Sequence, residues 1–272
     1  MKEIIVSRQN PLVKAVCALL EKKQRRASGL FRFDGVKLFE EAIFCGIDIE
    51  YIVVSEGANA NYQEAVERAL SGGKITEDKV YTVSLAVFEK ISEEKAPEGV
   101  VTVAKQLFSV KENCSAADIS HKERLLLAEA LRDPGNLGTV IRSCAALGID
   151  RLVLSSDCAD IYNPKTIRAA MGGLFRLNIS ILSPDSMPET INELRKSGRR
   201  VFATALREDS VEIGKLSLVK GDCFVIGNEG HGLSGAVVSA CDAPCIIPMR
   251  EGSESLNASA AAAICIWETV KV

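Results

Sequence analysis

Aromatic residues are scarce in this 272-residue sequence: they make up 5% of the chain and include one tryptophan. Proteins that bind single-stranded nucleic acid often stack bases on aromatic side chains, so this scarcity argues against a stacking platform. No apolar run reaches the roughly 18 residues that a bilayer crossing requires, and no membrane helix is expected. The first residues lack the apolar core of a secretory signal, which predicts a cytoplasmic protein.

An excess of charge of one sign is also lacking, because the formal net charge is −3. That value argues against a nucleic-acid partner, but the basic residues are unevenly distributed. They concentrate between positions 14 and 37, as Lys14, Lys22, Lys23, Arg25, Arg26, Arg32 and Lys37, against Glu21 and Asp34. Such a cluster can neutralise several phosphates, although a solvated helix face has the same composition. RNA recognition is therefore expected to depend on charge and shape.

The cysteines give no sign of disulfides or of a metal site. They number nine, and most lie inside apolar stretches, such as Cys17 and Cys265. This is typical of reduced cysteines that pack as small hydrophobic residues. Cys241 and Cys245 are close in sequence, but no second Cys or His pair stands nearby to complete four ligands. No metal is predicted.

Two series of alternating helices and strands predict an α/β fold with two domains. In the first series, Asn10-Pro11 is a helix-start signal. The other elements predicted there are helices at 36–45, 62–70 and 84–91 and strands at 49–54, 80–83 and 100–104. Residues 107–122 are polar and aperiodic, so we expect a linker there, between an N-terminal domain (1–106) and a C-terminal domain (123–272).

The second series predicts strands at 125–128, 151–155, 177–182, 200–205, 223–227 and 245–248, and a final helix at about 255–270. Continuous apolar strands separated by helices indicate a parallel sheet that is covered on both faces. Three polar, glycine-rich loops, at 132–138, 226–234 and 247–257, follow strands of this series. In open parallel sheets ligands bind at that edge, and we expect the three loops to converge there into a single cleft. None of the loops has the glycine pattern of a phosphate loop or of a dinucleotide-binding turn, so nucleotide hydrolysis and nicotinamide chemistry are poorly supported.

Together, and in this order, the three loops resemble the signature motifs of the SpoU (TrmH-type) RNA ribose methyltransferases of the SPOUT superfamily. The matching stretches are 133–138 with Arg142, 227–230, 247–249 and 255–257. The stretches 7–11, 35–37 and 97–100 resemble the L30e-like substrate-binding domain that many of these enzymes carry.

The resemblance implies transfer of a methyl group from S-adenosylmethionine to a ribose 2′-hydroxyl of structured RNA. Ribosomal RNA is the preferred substrate and transfer RNA the second. It also implies a C-terminal sheet with a trefoil knot, and a homodimer whose active sites are completed across the interface. The alternative is a non-catalytic RNA-binding or ribosome-assembly protein that retains the fold. The presence of Arg142, Glu229, Ser255 and Asn257 argues against it.

The resemblance assigns roles to particular residues. Arg142 activates the hydroxyl, and the other catalytic positions are Asn136, Glu229, Ser255 and Asn257. The expected cofactor-binding residues are Ala203, Thr204, Gly227, Ile247 and Leu256. The expected RNA-binding residues are Lys14, Lys22, Lys23, Arg25, Arg26 and Lys37. Without the resemblance, Arg142 is an ordinary surface residue and the asparagines are turn or capping residues. His231 receives no role from the family.

Overall fold

A computed structural model describes residues 3–58, 60–93, 97–250 and 255–272 of the chain. The fold divides into two compact units, Met1–Leu107 with Tyr162–Arg168, and Phe108–Ile161 with Ala169–Val272. In the described part of the chain, no helix has the length and apolar character that a bilayer crossing demands.

The first unit contains a four-stranded mixed sheet with helices on both faces. Its strands are β1 (Leu30–Asp34), β2 (Ile49–Ser55), β3 (Val80–Val83) and β4 (Val100–Lys105), in the order β1-β4-β2-β3. β4 is antiparallel to β1 and β2, and β2 is parallel to β3. Its helices are α1 (Pro11–Ala18), α2 (Lys22–Ser28), α3 (Val36–Phe44), α4 (Ala60–Ser71) and α5 (Leu85–Ile91).

Alternation along β2 divides the core of this unit into two layers. Val53 packs in one cluster with apolar residues of α1 and α5, whereas Ile52 and Val54 pack in another with residues of α3 and α4. Neighbouring strand residues point to opposite faces, so one strand supports both layers. The sequence pattern does not predict β1, because Arg32 interrupts its apolar run. Arg32 is nevertheless buried, since it pairs with Asp34 at 2.6 Å.

The second unit contains an eight-stranded sheet in which every neighbouring pair is parallel. The spatial order is β10-β12-β9-β11-β6-β7-β8-β5. The strands are β5 (Val110–Glu112), β6 (Leu125–Ala128), β7 (Arg151–Ser155), β8 (Asn178–Leu182), β9 (Val201–Thr204), β10 (Val211–Glu212), β11 (Cys223–Ile226) and β12 (Ala243–Ile246). The helices of this unit are α6 (Pro134–Leu147), α8 (Ser186–Lys196), α9 (Gly235–Ala240) and α10 (Ala258–Val270). Most of α7 (Pro164–Ala170) belongs to the first unit, which includes residues 162–168.

The predicted parallel α/β sheet is confirmed, and β6, β7 and β11 are buried along their whole length. The stretch 107–122, expected as a linker, contains β5, which pairs with β8 at the edge of this sheet. That expectation was wrong for residues 110–112, because three residues are too few to show a strand period. β10 was also not predicted, because it has only two residues.

The strand order places the carboxyl ends of β12, β9, β11 and β6 next to one another. The loops that leave these ends carry most of the residues expected to be functional.

The described cysteines are all free, and six of them are buried. Burial raises the pKa of the Cys241 and Cys245 thiols to about 12. Among the described residues, no group of acidic, His or Cys side chains is placed to hold a metal ion.

Candidate active site

Three loops meet at the carboxyl edge of the large sheet. The first loop, 129–138, runs from β6 into α6; the second, 227–234, links β11 to α9; and the third, 247–257, links β12 to α10. Residues 251–254 of the third loop lie outside the described residues. The prediction that the three loops converge is confirmed by side-chain hydrogen bonds that join all of them.

The Asn136 amide is the centre of this junction. Its Nδ2 donates to Glu229 Oε1 of the second loop at 2.9 Å. Its Oδ1 accepts from Asn257 Nδ2 of the third loop, also at 2.9 Å. Because one amide group provides both a donor and an acceptor, Asn136 can hold two loops at the same time. Three residues expected to be catalytic are therefore linked through Asn136.

Asn136 and Asn257 lie at the N-terminal ends of helices, where capping hydrogen bonds fix the backbone. Asp133 caps α6, and its Oδ1 accepts from Asn136 N at 2.8 Å. Since Asp133 performs the capping, the Asn136 side chain is available for contacts between loops. Asn257 makes two kinds of contact: its Oδ1 caps α10 by accepting from Ser259 N at 2.9 Å, while its Nδ2 donates to Asn136 Oδ1.

The second loop folds back tightly on itself. Asn228 and Gly232 exchange two backbone hydrogen bonds of 3.0 Å. A Cβ on Gly227 would lie 2.4 Å from the carbonyl carbon of Gly232, so this turn requires glycine. The side chain of Asn228 accepts from the backbone N of Gly230 and of His231. His231 is exposed, and its Nδ1 lies 3.2 Å from the same Asn228 oxygen.

Arg142 lies on the outer side of α6. Buried residues of this helix include Leu137, Ile141 and Cys144, whereas Arg142 is exposed. Among the described residues, no hydrogen bond or ion pair holds its guanidinium. A Cβ on Gly173 would lie 3.1 Å from the Arg142 Cα, so glycine lets the neighbouring turn pack closely against this part of α6. Within the described residues, the Arg142 charge is therefore available to a ligand.

The residues expected to bind the cofactor lie at the carboxyl ends of β9, β11 and β12 or in the loops beyond them. Ala203 and Gly227 are buried, Thr204 and Ile247 are half-buried, and Leu256 is exposed. Thr204 Oγ1 donates to the Val225 carbonyl at 2.9 Å, which joins β9 to β11.

This edge also exposes apolar surface, because Leu206 is 87% exposed, Met249 45% and Leu256 41%. An adenosyl group has an apolar ring and polar edges that main-chain groups can bind. Small, apolar and main-chain surfaces therefore fit such a cofactor. Ser255, the remaining catalytic candidate, is exposed in the third loop.

Sequence reasoning missed the contacts that hold the first two loops together. Glu129 is 7% exposed and accepts from both the N and the Oγ of Ser234 at 2.7 Å. Ala130 has a φ of +53°, and its carbonyl accepts from Asn228 Nδ2 at 2.7 Å. A left-handed alanine is strained by roughly 1–2 kcal/mol, so its surroundings must impose that conformation. In the sequence, the one sign that Glu129 has a structural role is the position of its carboxylate directly after an apolar strand.

Most of the basic cluster in the first unit is exposed; the exposed members are Lys14, Lys22, Lys23, Arg26 and Lys37. Arg25 was expected to bind RNA, and this expectation was wrong, because only 2% of the residue is exposed. Its Nη1 donates to the carbonyls of Leu19 and Leu20, each at 2.7 Å. Arg25 therefore fastens the turn between α1 and α2 and does not offer its charge to RNA.

Comparison with known proteins agrees with this geometry. Residues 123–267 match the SpoU rRNA Methylase family, and residues 10–102 match the MRM3-like substrate binding domain. The chain belongs to the SpoU rRNA methylase family. Like other members of that family, it is an RNA methyltransferase that uses S-adenosylmethionine.

Individual SpoU relatives resemble the chain over almost its whole length. It is 30% identical over 267 residues to the Bacillus subtilis 23S rRNA (guanosine(2553)-2′-O)-methyltransferase RlmP, covering 98% of each chain. A crystal structure of an AdoMet-bound rRNA methyltransferase from Sinorhizobium meliloti has a TM-score of 0.82 and 28% identity, covering 99% of this chain and 97% of that one. AviRb from Streptomyces viridochromogenes, a SpoU methyltransferase solved with AdoMet, has a TM-score of 0.79 and 25% identity, covering 96% and 98%.

Proposed function

We propose that this SpoU methylase transfers a methyl group from S-adenosylmethionine to a ribose 2′-hydroxyl of ribosomal RNA. The observation that carries the proposal is the contact of Glu229, Asn136 and Asn257, which joins the three family loops at one edge of the sheet. Relatives named as 23S rRNA 2′-O-methyltransferases, including RlmP and the Coxiella burnetii RlmB, support ribosomal RNA as the substrate class.

The reaction forms an O–CH₃ bond, breaks an S–CH₃ bond and releases the hydroxyl proton. When bound, S-adenosylmethionine supplies a methyl group on a sulfonium, which leaves as a neutral thioether. The protein must therefore align the ribose and make its oxygen more nucleophilic. A guanidinium that stays charged is a poor proton acceptor, so in our proposal the released proton passes to solvent water. In our proposal, Arg142 binds a backbone phosphate and stabilises the negative charge that develops on the oxygen.

The other catalytic residues orient the substrate. In our proposal, Asn136 and Asn257 orient the RNA that Arg142 acts on. Their amides are bonded to each other, and Glu229 fixes Asn136 from the second loop. Ser255, two residues before Asn257, binds near the reacting oxygen in our proposal. The cofactor is held by the backbone and apolar surface around Ala203, Thr204, Gly227, Ile247 and Leu256.

RNA affinity comes from the exposed basic residues of the first unit, which are Lys14, Lys22, Lys23, Arg26 and Lys37. These cations bind phosphates and recognise the shape of a folded RNA element. The division into a substrate-binding domain at 1–106 and a catalytic domain at 123–272 belongs to this proposal.

Three further features complete the proposal: a trefoil knot in the C-terminal sheet, a cytoplasmic location and a homodimer with shared active sites. Trp267 on α10 supports the dimer, because it is 56% exposed although it is a large apolar residue. Sedimentation of the wild type and of Trp267→Glu tests it. A monomeric wild type would contradict the shared site.

The function is tested with labelled cofactor. Calorimetry measures S-adenosylmethionine binding, and tritium transfer is measured into ribosomal and transfer RNA from cells that lack the gene. We expect label in ribosomal RNA as ribose methylation. A wild-type protein that binds RNA but labels no fraction would favour the non-catalytic RNA-binding alternative, and label in transfer RNA alone would contradict the substrate class.

Substitution of Arg142 tests the mechanism. Arg142→Ala is expected to bind the cofactor as wild type does, since the guanidinium acts on the RNA, but to lose about 10²–10³-fold in transfer rate. Lys196→Ala, which removes an exposed cation from α8, is the control and keeps wild-type activity. A large loss of cofactor affinity in Arg142→Ala would show that its role is wrongly assigned.

A further inference from the structure

We infer that Glu129 is a positioning residue for methyl transfer, because its buried carboxylate fixes the second loop in the conformation that binds the cofactor. The inference rests on the proposed function, since it concerns S-adenosylmethionine binding. It is carried by contacts outside the three family motifs, between the end of β6 and the start of α9.

The carboxylate of Glu129 is committed to one partner. Its Oε2 accepts from Ser234 N and its Oε1 from Ser234 Oγ, each at 2.7 Å. The residue is 7% exposed, and among the described residues no lysine or arginine pairs with it. Hydrogen bonds to a buried charged group are stronger than those between neutral groups, and loss of one partner leaves the other unsatisfied. The contact is therefore a strong link between two elements 105 residues apart.

A second link holds the opposite end of the same loop. Asn228 Nδ2 donates to the Ala130 carbonyl at 2.7 Å, one residue after Glu129. The second loop is thus attached near both ends, at Asn228 and at Ser234, to consecutive residues of the first loop. Glu229 lies between these two attachments and makes the 2.9 Å contact with Asn136.

The segment that carries both attachments is itself fixed. Ala130 N donates to Ser155 Oγ at 2.8 Å, and the Leu131 carbonyl accepts from Ala159 N at 2.9 Å. The left-handed φ of Ala130 turns its carbonyl toward Asn228 while Glu129 points to Ser234. Glu129 thereby acts on Gly227 and Glu229 through the loop, without being assigned a contact with cofactor or RNA.

The test compares variants at both ends of this contact. Glu129→Ala and Ser234→Ala are each expected to weaken S-adenosylmethionine binding about tenfold by calorimetry. The double variant is expected to bind about as weakly as Glu129→Ala, because Glu129→Ala already removes both hydrogen bonds to Ser234. Ser234→Ala keeps the bond from its backbone N but also loses the hydroxyl that caps α9. Ser234→Thr retains the hydroxyl and is expected to restore wild-type affinity. Faster hydrogen exchange of the Gly230 and His231 amides in Glu129→Ala reports the released loop without any cofactor.

Asp222→Ala is the matched control. Asp222 is 4% exposed, accepts from Val219 N at 2.8 Å and pairs with Arg200, but it precedes β11 and so lies at the opposite end of that strand from the second loop. We expect it to lower the melting temperature as Glu129→Ala does while leaving cofactor affinity unchanged. A role in stability alone would give all these variants wild-type affinity once folded.

The outcomes separate the two proposals. If wild type binds S-adenosylmethionine and folded Glu129→Ala and Ser234→Ala bind it equally well, the inference is overturned and the proposed function stands. If wild type does not bind the cofactor, the proposed function fails, and the inference about cofactor positioning fails with it. Should Glu129→Ala not fold, the comparison of Ser234→Ala with Ser234→Thr decides the inference.

Discussion

At the scale of single residues, the Asn136 amide links three segments that are far apart in sequence. Because Asn136 and Glu229 share one hydrogen bond, the effects of removing them are expected to be non-additive. Asn136→Ala and Glu229→Ala should each slow single-turnover methyl transfer at saturating cofactor, by about tenfold or more. The double variant should be no slower than the worse single variant.

A matched control for this cycle is Asn178→Ala. Asn178 Nδ2 donates to the Asp150 carbonyl at 3.2 Å at the start of β8, away from the three loops. Its transfer rate should equal that of wild type. Losses from Asn136→Ala and Glu229→Ala that multiply in the double variant would mean that the two residues act independently.

At this scale, the sequence predicted some of the contacts between residues and missed others. The family motifs place Asn136, Glu229 and Asn257 at one site, and the structure brings them together. Arg25 was misassigned because a count of charges does not reveal that two carbonyl groups bind its guanidinium. The contact of Glu129 with Ser234 could not be foreseen, since nothing in either local sequence points to a partner 105 residues away.

At the scale of elements, α2 is a short basic helix whose exposed residues include Lys22 and Lys23. Reversing both charges, with Lys22→Glu and Lys23→Glu, should weaken binding to structured RNA most strongly at low salt. The slope of log affinity against log salt should become shallower by roughly one to two, because fewer counterions are released. Filter binding between about 50 and 200 mM salt measures this change.

The control for α2 changes net charge equally at exposed lysines of the second unit, with Lys122→Glu and Lys196→Glu. If both double variants lose affinity to the same extent, the effect comes from net charge alone and α2 is only a solvated face.

Arg25→Ala is expected to act differently: it should lower the thermal stability of the protein, because Arg25 is buried against Leu19 and Leu20.

Elements were predictable where their apolar pattern was long enough. The buried runs of β6, β7 and β11 indicated a parallel sheet, because such strands are covered on both faces. β5 and β10 were missed, since two or three residues at a sheet edge carry no usable pattern. β1 was missed because Arg32 and Asp34 are charged residues, which usually lie at the surface, whereas here they form a buried ion pair.

At the scale of the whole molecule, the cysteines report on folding. Burial raises the pKa of the Cys223, Cys241 and Cys245 thiols to about 12, so almost no thiolate exists at about pH 8 in the folded protein. We expect iodoacetamide to modify only the half-buried Cys17, Cys45 and Cys114 before unfolding. All nine cysteines should react in denaturant, as followed by mass spectrometry. Rapid modification of Cys245 in native protein would contradict the buried sheet.

The order of the strands could not be derived from the sequence, although their direction could. β6 has β7 on one side and β11 on the other, and β11 follows β6 by about a hundred residues. Apolar patterns identify which segments are buried but not which neighbours they choose. The family resemblance supplied the convergence of the loops, and the knot stays a prediction.

The pairing of β6 with β11 has a consequence during translation. A nascent chain that has exposed the first loop still lacks Glu229, and Asn136 has no second partner until Asn257 has left the ribosome tunnel. The three loops are therefore joined only after Asn257 has been synthesised and has emerged. A ribosome stalled earlier carries a chain that has its basic N-terminal helices but no means of modifying the RNA to which they bind.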